Sequence, residues 1–215
     1  MTTSKEDIVK VCLLGKYGVG KTSLATRFIS GTFRKSCQAT VGAAFLTKII
    51  CYGNREYCMA LWDTSGDEKF RAVAALTYRR AAAALVVYDI TEKKSFDDVE
   101  YWMNELRKKA PEDILIFVIG NKLDLESQRA VSRSSAEQYA KENDAVHLEA
   151  SAKTGEGISE IFHEICATLS KVSQDKNSGY LDHREKGTTI HLGSSLNDQH
   201  GVGGDTARGC RCRTH

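Results

Sequence analysis

Several things that would fix the setting of this 215-residue chain are missing from it. No apolar run approaches the ~18 residues of a membrane-spanning helix. The opening stretch, MTTSKEDIVK, has no apolar segment of the kind a secretory leader carries. Thr2 stands where N-myristoylation needs a glycine. Neither sign of charge dominates: the net charge is +2 and the pI is near 8.1, so charge gives no reason to expect a nucleic-acid partner. Seven cysteines, at 12, 37, 51, 58, 166, 210 and 212, are odd in number and mostly sit in apolar stretches. That is unlike a regular disulfide framework and points to a reducing compartment. No internal repeat is visible. If the chain meets a membrane, a covalent anchor is the expected means.

What is present is an alternation of short apolar runs and helical patterns. IVKVCLL (8–14) reads as a buried strand ending at Gly15. Lys21 to Ser30 is helical, with Gly31 as its stop. Residues 44–50 and 57–62 read as strands joined by a turn at YGNRE. Ala81 to Tyr88 is apolar throughout and fits either a strand or a helix. Phe96 to Lys109 is helical and ends before Pro111, the single proline. Ile114 to Gly120 and HLEA (147–150) read as strands, Ser134 to Glu142 and Ile158 to Ser170 as helices. Such alternation implies a doubly wound α/β fold: a mostly parallel six-stranded sheet with helices on both faces. After about residue 170 the composition turns to Gly, Ser, Asn, Asp and His, without Phe or Trp. Residues 1–170 are expected to form the domain and 171–215 a flexible tail.

Three loops carry chemistry. Gly15-Lys-Tyr17-Gly18-Val19-Gly20-Lys21-Thr22 matches G-x-x-x-x-G-K-[ST] between a strand and a helix, the context a phosphate-binding loop requires. Backbone N–H groups and the helix N-terminus would cradle phosphates, with Ser23 one residue further on. Lys21 would neutralise the β- and γ-phosphates and Thr22 would ligate Mg²⁺. The bland alternative is a glycine-rich turn that happens to carry Lys-Thr. Asn121-Lys122-Leu-Asp124 follows a strand, and a carboxylate there can accept from the guanine N1–H and 2-amino group. Adenine offers an acceptor at N1 and no 2-amino group. Ser151-Ala152-Lys153 follows the next strand and can present an N–H to the guanine O6. Each of these two is weak alone, as a polar strand end or an ordinary turn. Their order behind the phosphate loop gives them weight.

With these motifs in place, about residues 5–170 resemble a small Ras-like GTPase of the Rab subfamily. The residues that carry the resemblance are Thr40-Val-Gly-Ala-Ala-Phe45, Leu61-Trp62-Asp63-Thr64, Lys69-Phe70-Arg71, Tyr78-Arg79-Arg80-Ala81 and Leu85-Val-Val-Tyr-Asp-Ile-Thr91. The first of these is most similar to early-endosomal Rabs, which implies the cytoplasmic face of an endosomal membrane with a cytosolic pool. The resemblance makes Ala81 to Tyr88 a strand. It also implies a guanine-nucleotide switch in vesicle traffic that hydrolyses GTP. Thr40 would join Thr22 as a Mg²⁺ ligand, Asp63 would hold Mg²⁺ through water, Gly66 would offer its N–H to the γ-phosphate, and Phe33 would lie against the base. Phe45, Trp62 and the residue at Thr77 would form the effector surface. Implied partners are an exchange factor, a GTPase-activating protein, a GDP-dissociation inhibitor or escort protein, and effectors that read both switches.

The departures are as informative. Asp67 follows Gly66 where the family usually has Gln. A carboxylate can only accept from the attacking water, and it places charge near an anionic phosphate, at roughly 3 kcal/mol as an upper bound for ~5 Å and a dielectric of ~20. Alternatively Asp67 turns to solvent, or serves as a general base. Tyr17 occupies a position where small residues are common and would crowd an arginine finger. Thr77 replaces a Tyr, and Arg80 a Gly. Near the end, Cys210-Arg-Cys212 resembles paired prenylation cysteines, although three residues follow. A metal site with His200 or His215 is the alternative. The expected function is a Rab-type switch with weakened intrinsic hydrolysis. Its rivals are a permanently GTP-bound scaffold and a P-loop nucleotide kinase, against which Asn121-Lys-x-Asp124 argues.

Overall fold

The computed structural model describes residues 7–35 and 38–181. Six strands form one sheet: β1 (Asp7–Leu14), β2 (Ala43–Tyr52), β3 (Arg55–Thr64), β4 (Ala83–Asp89), β5 (Leu115–Asn121) and β6 (Val146–Glu149). Their order is β2-β3-β1-β4-β5-β6, and only the β2–β3 pair is antiparallel. Strand residues point alternately to the two faces. Val9, Val11 and Leu13 therefore meet Leu24 and Phe28 of α1 (Lys21–Ser30) and Ile161, Phe162 and Ile165 of α5 (Ile158–Leu181). Cys12 and Leu14 meet the other layer. It comprises α2 (Arg71–Tyr78), α3 (Lys93–Lys109) and α4 (Arg133–Glu142), through Tyr78, Trp102, Met103, Leu106 and Ala136. Two apolar layers on one parallel core are what the alternating sequence implies.

The expected strands and helices are found, with ends shifted by a few residues. Ala83–Asp89 is a strand, buried at all seven positions, which resolves the ambiguity of that run. Two features differ from expectation. Arg71–Tyr78 is helical, although the short run RAVAALTY gives no clear periodicity by itself. The helix from Ile158 also continues past Ser170 to Leu181, into the segment whose composition suggests a tail. Once nucleated by packing against the sheet, a helix adds one hydrogen bond per further residue, and no proline interrupts residues 171 to 181. Cys210 and Cys212 lie outside the described residues.

The sheet places all the motif loops at one edge. β1 runs into Gly15, β3 into Gly66, β5 into Lys122 and β6 into Ser151. These are the carboxyl ends of strands, and after β1 the chain order turns to opposite sides of the sheet. Open α/β sheets form their ligand crevice at such a switch point.

Candidate nucleotide site

The phosphate end is a cleft of about 190 Å³ lined by Tyr17, Gly18, Gly20, Lys21, Thr22, Ser23, Thr40 and Gly66, among others. Its glycines are required by geometry. Gly15 has φ +137°, and a Cβ there would lie 2.2 Å from the Val87 carbonyl oxygen. Gly20 has φ +96°, and a Cβ would lie 2.3 Å from Asn121 Nδ2. Gly66 rests on the loop from the other side, where a Cβ would fall 2.4 Å from the Tyr17 nitrogen. Val19 is fully buried and its carbonyl accepts from Asn121 Nδ2 at 2.8 Å. The buried Lys21 ammonium donates to Gly15 O at 2.8 Å and Lys16 O at 2.9 Å. Burial lowers its pKa to about 8, partly countered by Asp63.

Three side-chain oxygens converge beside Lys21. Thr22 Oγ1 donates to Asp63 Oδ2 at 2.6 Å and lies 2.8 Å from Thr40 Oγ1. Burial raises the Asp63 pKa, against the hydrogen bonds from Thr22 and Thr40 and the charge of Lys21. Asp63 Oδ1 is buried with no partner among the described residues. An orphaned carboxylate oxygen next to two hydroxyls is a hard, all-oxygen donor set. Such a set suits Mg²⁺, which takes few protein ligands and completes its shell with phosphate and water. The two loops that carry Thr40 and Gly66 are already joined, since Ser65 N–H donates to Gly42 O at 2.8 Å.

The Asp67 carboxylate does not face this cleft. It caps the 3₁₀ turn Glu68–Phe70 by accepting from Lys69 N at 3.1 Å, and it pairs with Lys69 Nζ at 2.9 Å. The Lys69 side chain is the main reason its pKa is lowered, so it stays ionised. Of the three readings of Asp67, the one that turns it outward matches this geometry. Tyr17 is 61% exposed and lines both the phosphate cleft and an adjoining one shared with Asp67.

The base end is a cleft of about 300 Å³ lined by Gly18, Ser23, Phe33, Asn121, Lys122, Asp124, Ala152 and Lys153, among others. Phe33 also packs against the core. Asn121 is buried and accepts from Ala152 N at 3.2 Å, so one side chain joins the phosphate loop to the last motif. Asp124 accepts from Ser151 Oγ at 2.6 Å and from Lys153 Nζ at 3.1 Å. Burial pushes its pKa up, but these two donors prevail and hold it below the usual range. Lys122 adopts φ +70° and sends its ammonium to Asp89 Oδ2 at 2.5 Å.

Two basic residues that the motifs do not reveal support this end. Arg129 forks onto Glu149, with contacts of 2.7 and 3.0 Å, and onto Glu126 at 2.8 and 2.6 Å. Arg27 reaches from α1 to the Ser151–Lys153 loop. No local signal marks either role, because the partners that tie each residue to this end, Glu149 for Arg129 and Ala152 and Lys153 for Arg27, are distant in sequence.

The effector triad is only partly assembled. Phe45 and Trp62 are directly paired across β2–β3, with ring centroids 5.2 Å apart, and Phe45 is 56% exposed. Thr77 is not on that surface. It is buried, and its hydroxyl donates to Ala74 O at 2.7 Å. A short side chain on the inner face of α2 can satisfy its hydroxyl on the preceding turn, where a Tyr would project further.

A phosphate loop at the end of β1, with a carboxylate-bearing base cleft at the ends of β5 and β6, defines a P-loop nucleotide-binding α/β protein. The Ras family model matches residues 10–171, and the chain belongs to that family. Over 171 residues it is 41% identical to Ras-related protein Rab-22A of mouse, human and dog, covering 80% of this chain and 88% of each relative. It is a small GTPase of the Rab subfamily, a switch of the type that works in vesicle traffic.

Proposed function

We propose that this protein is a Mg²⁺-dependent GTP/GDP switch whose own hydrolysis is weak and whose GTP form is long-lived. The observation that carries the reading is the Asn121 side chain. It couples the phosphate loop to the base loop within hydrogen-bonding distance of both. Glycine N–H groups from Gly15 to Gly20, the Lys21 ammonium and the α1 N-terminus bind the phosphates. Ser23 and Phe33 flank the ribose and base, and Lys122 braces the base loop through Asp89. Asp124, kept ionised, accepts from the guanine donors, with the solvent-exposed Lys153 giving way. Thr22, Thr40 and Asp63 hold Mg²⁺, which when bound neutralises charge on the phosphate oxygens. Gly66 offers its N–H where the third phosphate ends. Thr40 and Gly66 thus order both switches when that phosphate is present.

Hydrolysis needs a water held in line with the third phosphate. Asp67 is spent on Lys69 and does not supply the Gln amide that would hold it. Lys21 and Gly66 still stabilise the transferring group, so turnover is slow rather than absent. Effectors dock on the Phe45–Trp62 surface. An exchange factor, an activating protein and a GDP-dissociation inhibitor complete the cycle, and Tyr17 narrows the path of any arginine supplied in trans. Residues 1–170 act as the switch. Cys210 and Cys212 carry two prenyl groups that anchor it on the cytoplasmic face of an endosomal membrane.

The test is the nucleotide that the protein carries. Extraction of protein purified in Mg²⁺ should release close to one guanine nucleotide per chain. Protein preloaded with GTP should convert it slowly to GDP. Adenine nucleotide, or none, would contradict the reading.

A further inference from the structure

Arg27 sits one turn beyond Ser23 on α1, on the side that faces the Ser151–Lys153 loop. Its guanidinium meets three backbone carbonyls. Nε donates to Ala152 O at 2.8 Å, Nη1 to Gly31 O at 2.6 Å, and Nη2 to Lys153 O. Two of these acceptors lie some 125 residues later in the chain. The contact with Gly31 fixes the other end, because Gly31 closes α1 with φ +69° and donates its N–H to Arg27 O at 2.9 Å.

A planar peptide bond links each carbonyl to the next residue's N–H. Holding Ala152 C=O therefore sets the direction of the Lys153 N–H. Holding Lys153 C=O sets the Thr154 N–H, which donates to Ser151 Oγ at 3.1 Å. Ser151 Oγ in turn donates to Asp124 Oδ1 at 2.6 Å. The contacts form a continuous path from α1 to the carboxylate expected to read the base. Only a rigid fork with several donors can hold two successive carbonyls and the helix end together. A lysine ammonium is a compact point charge and cannot reproduce that spread.

We infer that Arg27 is a positioning residue for base recognition: it clamps the Ser151–Lys153 loop to α1 and thereby orients Ser151 and Asp124. This rests on the guanine reading above. Arg27 lines neither the phosphate cleft nor the base cleft, so its effect should appear in nucleotide retention and base preference and not in the hydrolytic step.

The test uses the full chain loaded with Mg²⁺-GDP, Mg²⁺-IDP or Mg²⁺-GTP. IDP lacks the 2-amino group that Asp124 is expected to accept from. Arg27→Ala should release GDP about 10- to 100-fold faster, the scale of losing one or two charge-assisted contacts. Its preference for GDP over IDP should fall at least about threefold, while single-turnover hydrolysis of preloaded GTP stays within about twofold of wild type. Arg27→Lys should be intermediate, and it carries the same ratio test if the alanine variant does not fold. Unchanged release overturns the inference. So does equal weakening of GDP and IDP, which would make Arg27 a general support of the fold. If wild type itself shows no preference for GDP over IDP, the reading of Asp124 falls first and the inference with it.

Discussion

On the proposed reading, Asp67 weakens hydrolysis while leaving the nucleotide cleft intact. Its carboxylate caps a 3₁₀ turn and pairs with Lys69, and it does not line the phosphate cleft. In this arrangement the Lys69 ammonium faces the Asp67 charge, and the proposed cause of slow hydrolysis is the absence of a Gln amide. The Ras reference rate is only ~3–5 × 10⁻⁴ s⁻¹, and on the proposed reading losing the Gln amide is expected to cost a further ~1–3 kcal/mol, or roughly 5- to 160-fold. Asp67→Gln is expected to raise single-turnover hydrolysis by a factor within that range. A rate that stays the same or falls would make Asp67 neutral or catalytic. Gly66 predicts the opposite kind of result. Its Cβ position is filled by the backbone of Lys16 and Tyr17, so Gly66→Ala should displace switch II and reduce GTP retention far more than GDP retention. Paired dissociation rates measure it.

At the scale of elements, much of the site was legible and part was not. The phosphate loop announced itself because its glycines are demanded by close approach, and the base loops because each follows an apolar strand. Thr77 misled, because a family position was carried over without the side chain that fills it. Arg27, Arg129 and Asp89 could not be read, since the contacts that tie each to the base end come from residues distant in sequence: Ala152 and Lys153, Glu149, and Lys122. Arg129 is the clearest case. Its side chain is 15% exposed and that of Glu149 4%, so removing one partner strands a buried charge. Arg129→Ala should cost ~3 kcal/mol of unfolding free energy in saturating Mg²⁺-GDP, and Arg129→Ala with Glu149→Gln should cost less. Denaturant titration of the four proteins would show it, and additive losses would argue against coupling. On the same strand as Glu149, burial lowers the His147 pKa below its ordinary 6.5, against the nearby Glu149 and Glu137. The unfolded chain then binds more protons than the folded one below pH 6.5, so stability falls as pH falls through that value. His147→Gln, which keeps a partner for the Tyr88 hydroxyl, should flatten that acid limb in thermal melts.

For the whole molecule, a rigid sheet edge gathers four loops into one crevice, and a Cys-x-Cys segment near the C-terminus supplies the proposed anchor. Among the described residues no helix is long and apolar enough to cross a membrane. Two prenyl chains hold a protein stably where one is marginal. Intact mass from eukaryotic cells should show two isoprenoid additions, and replacing Cys210 and Cys212 with Ser should move the protein to the soluble fraction. An unmodified terminus would remove the anchor from the account. The central claim is that the crevice selects guanine, and calorimetric titration with Mg²⁺-GDP and Mg²⁺-ADP tests it most directly, on wild type and Asp124→Ala after removal of bound nucleotide. Wild type should bind GDP at least about 10³-fold more tightly, the scale at which a buried hydrogen-bonding group rejects a mismatched partner. Asp124→Ala should lose most of that margin. Comparable affinity of wild type for the two nucleotides would contradict the account.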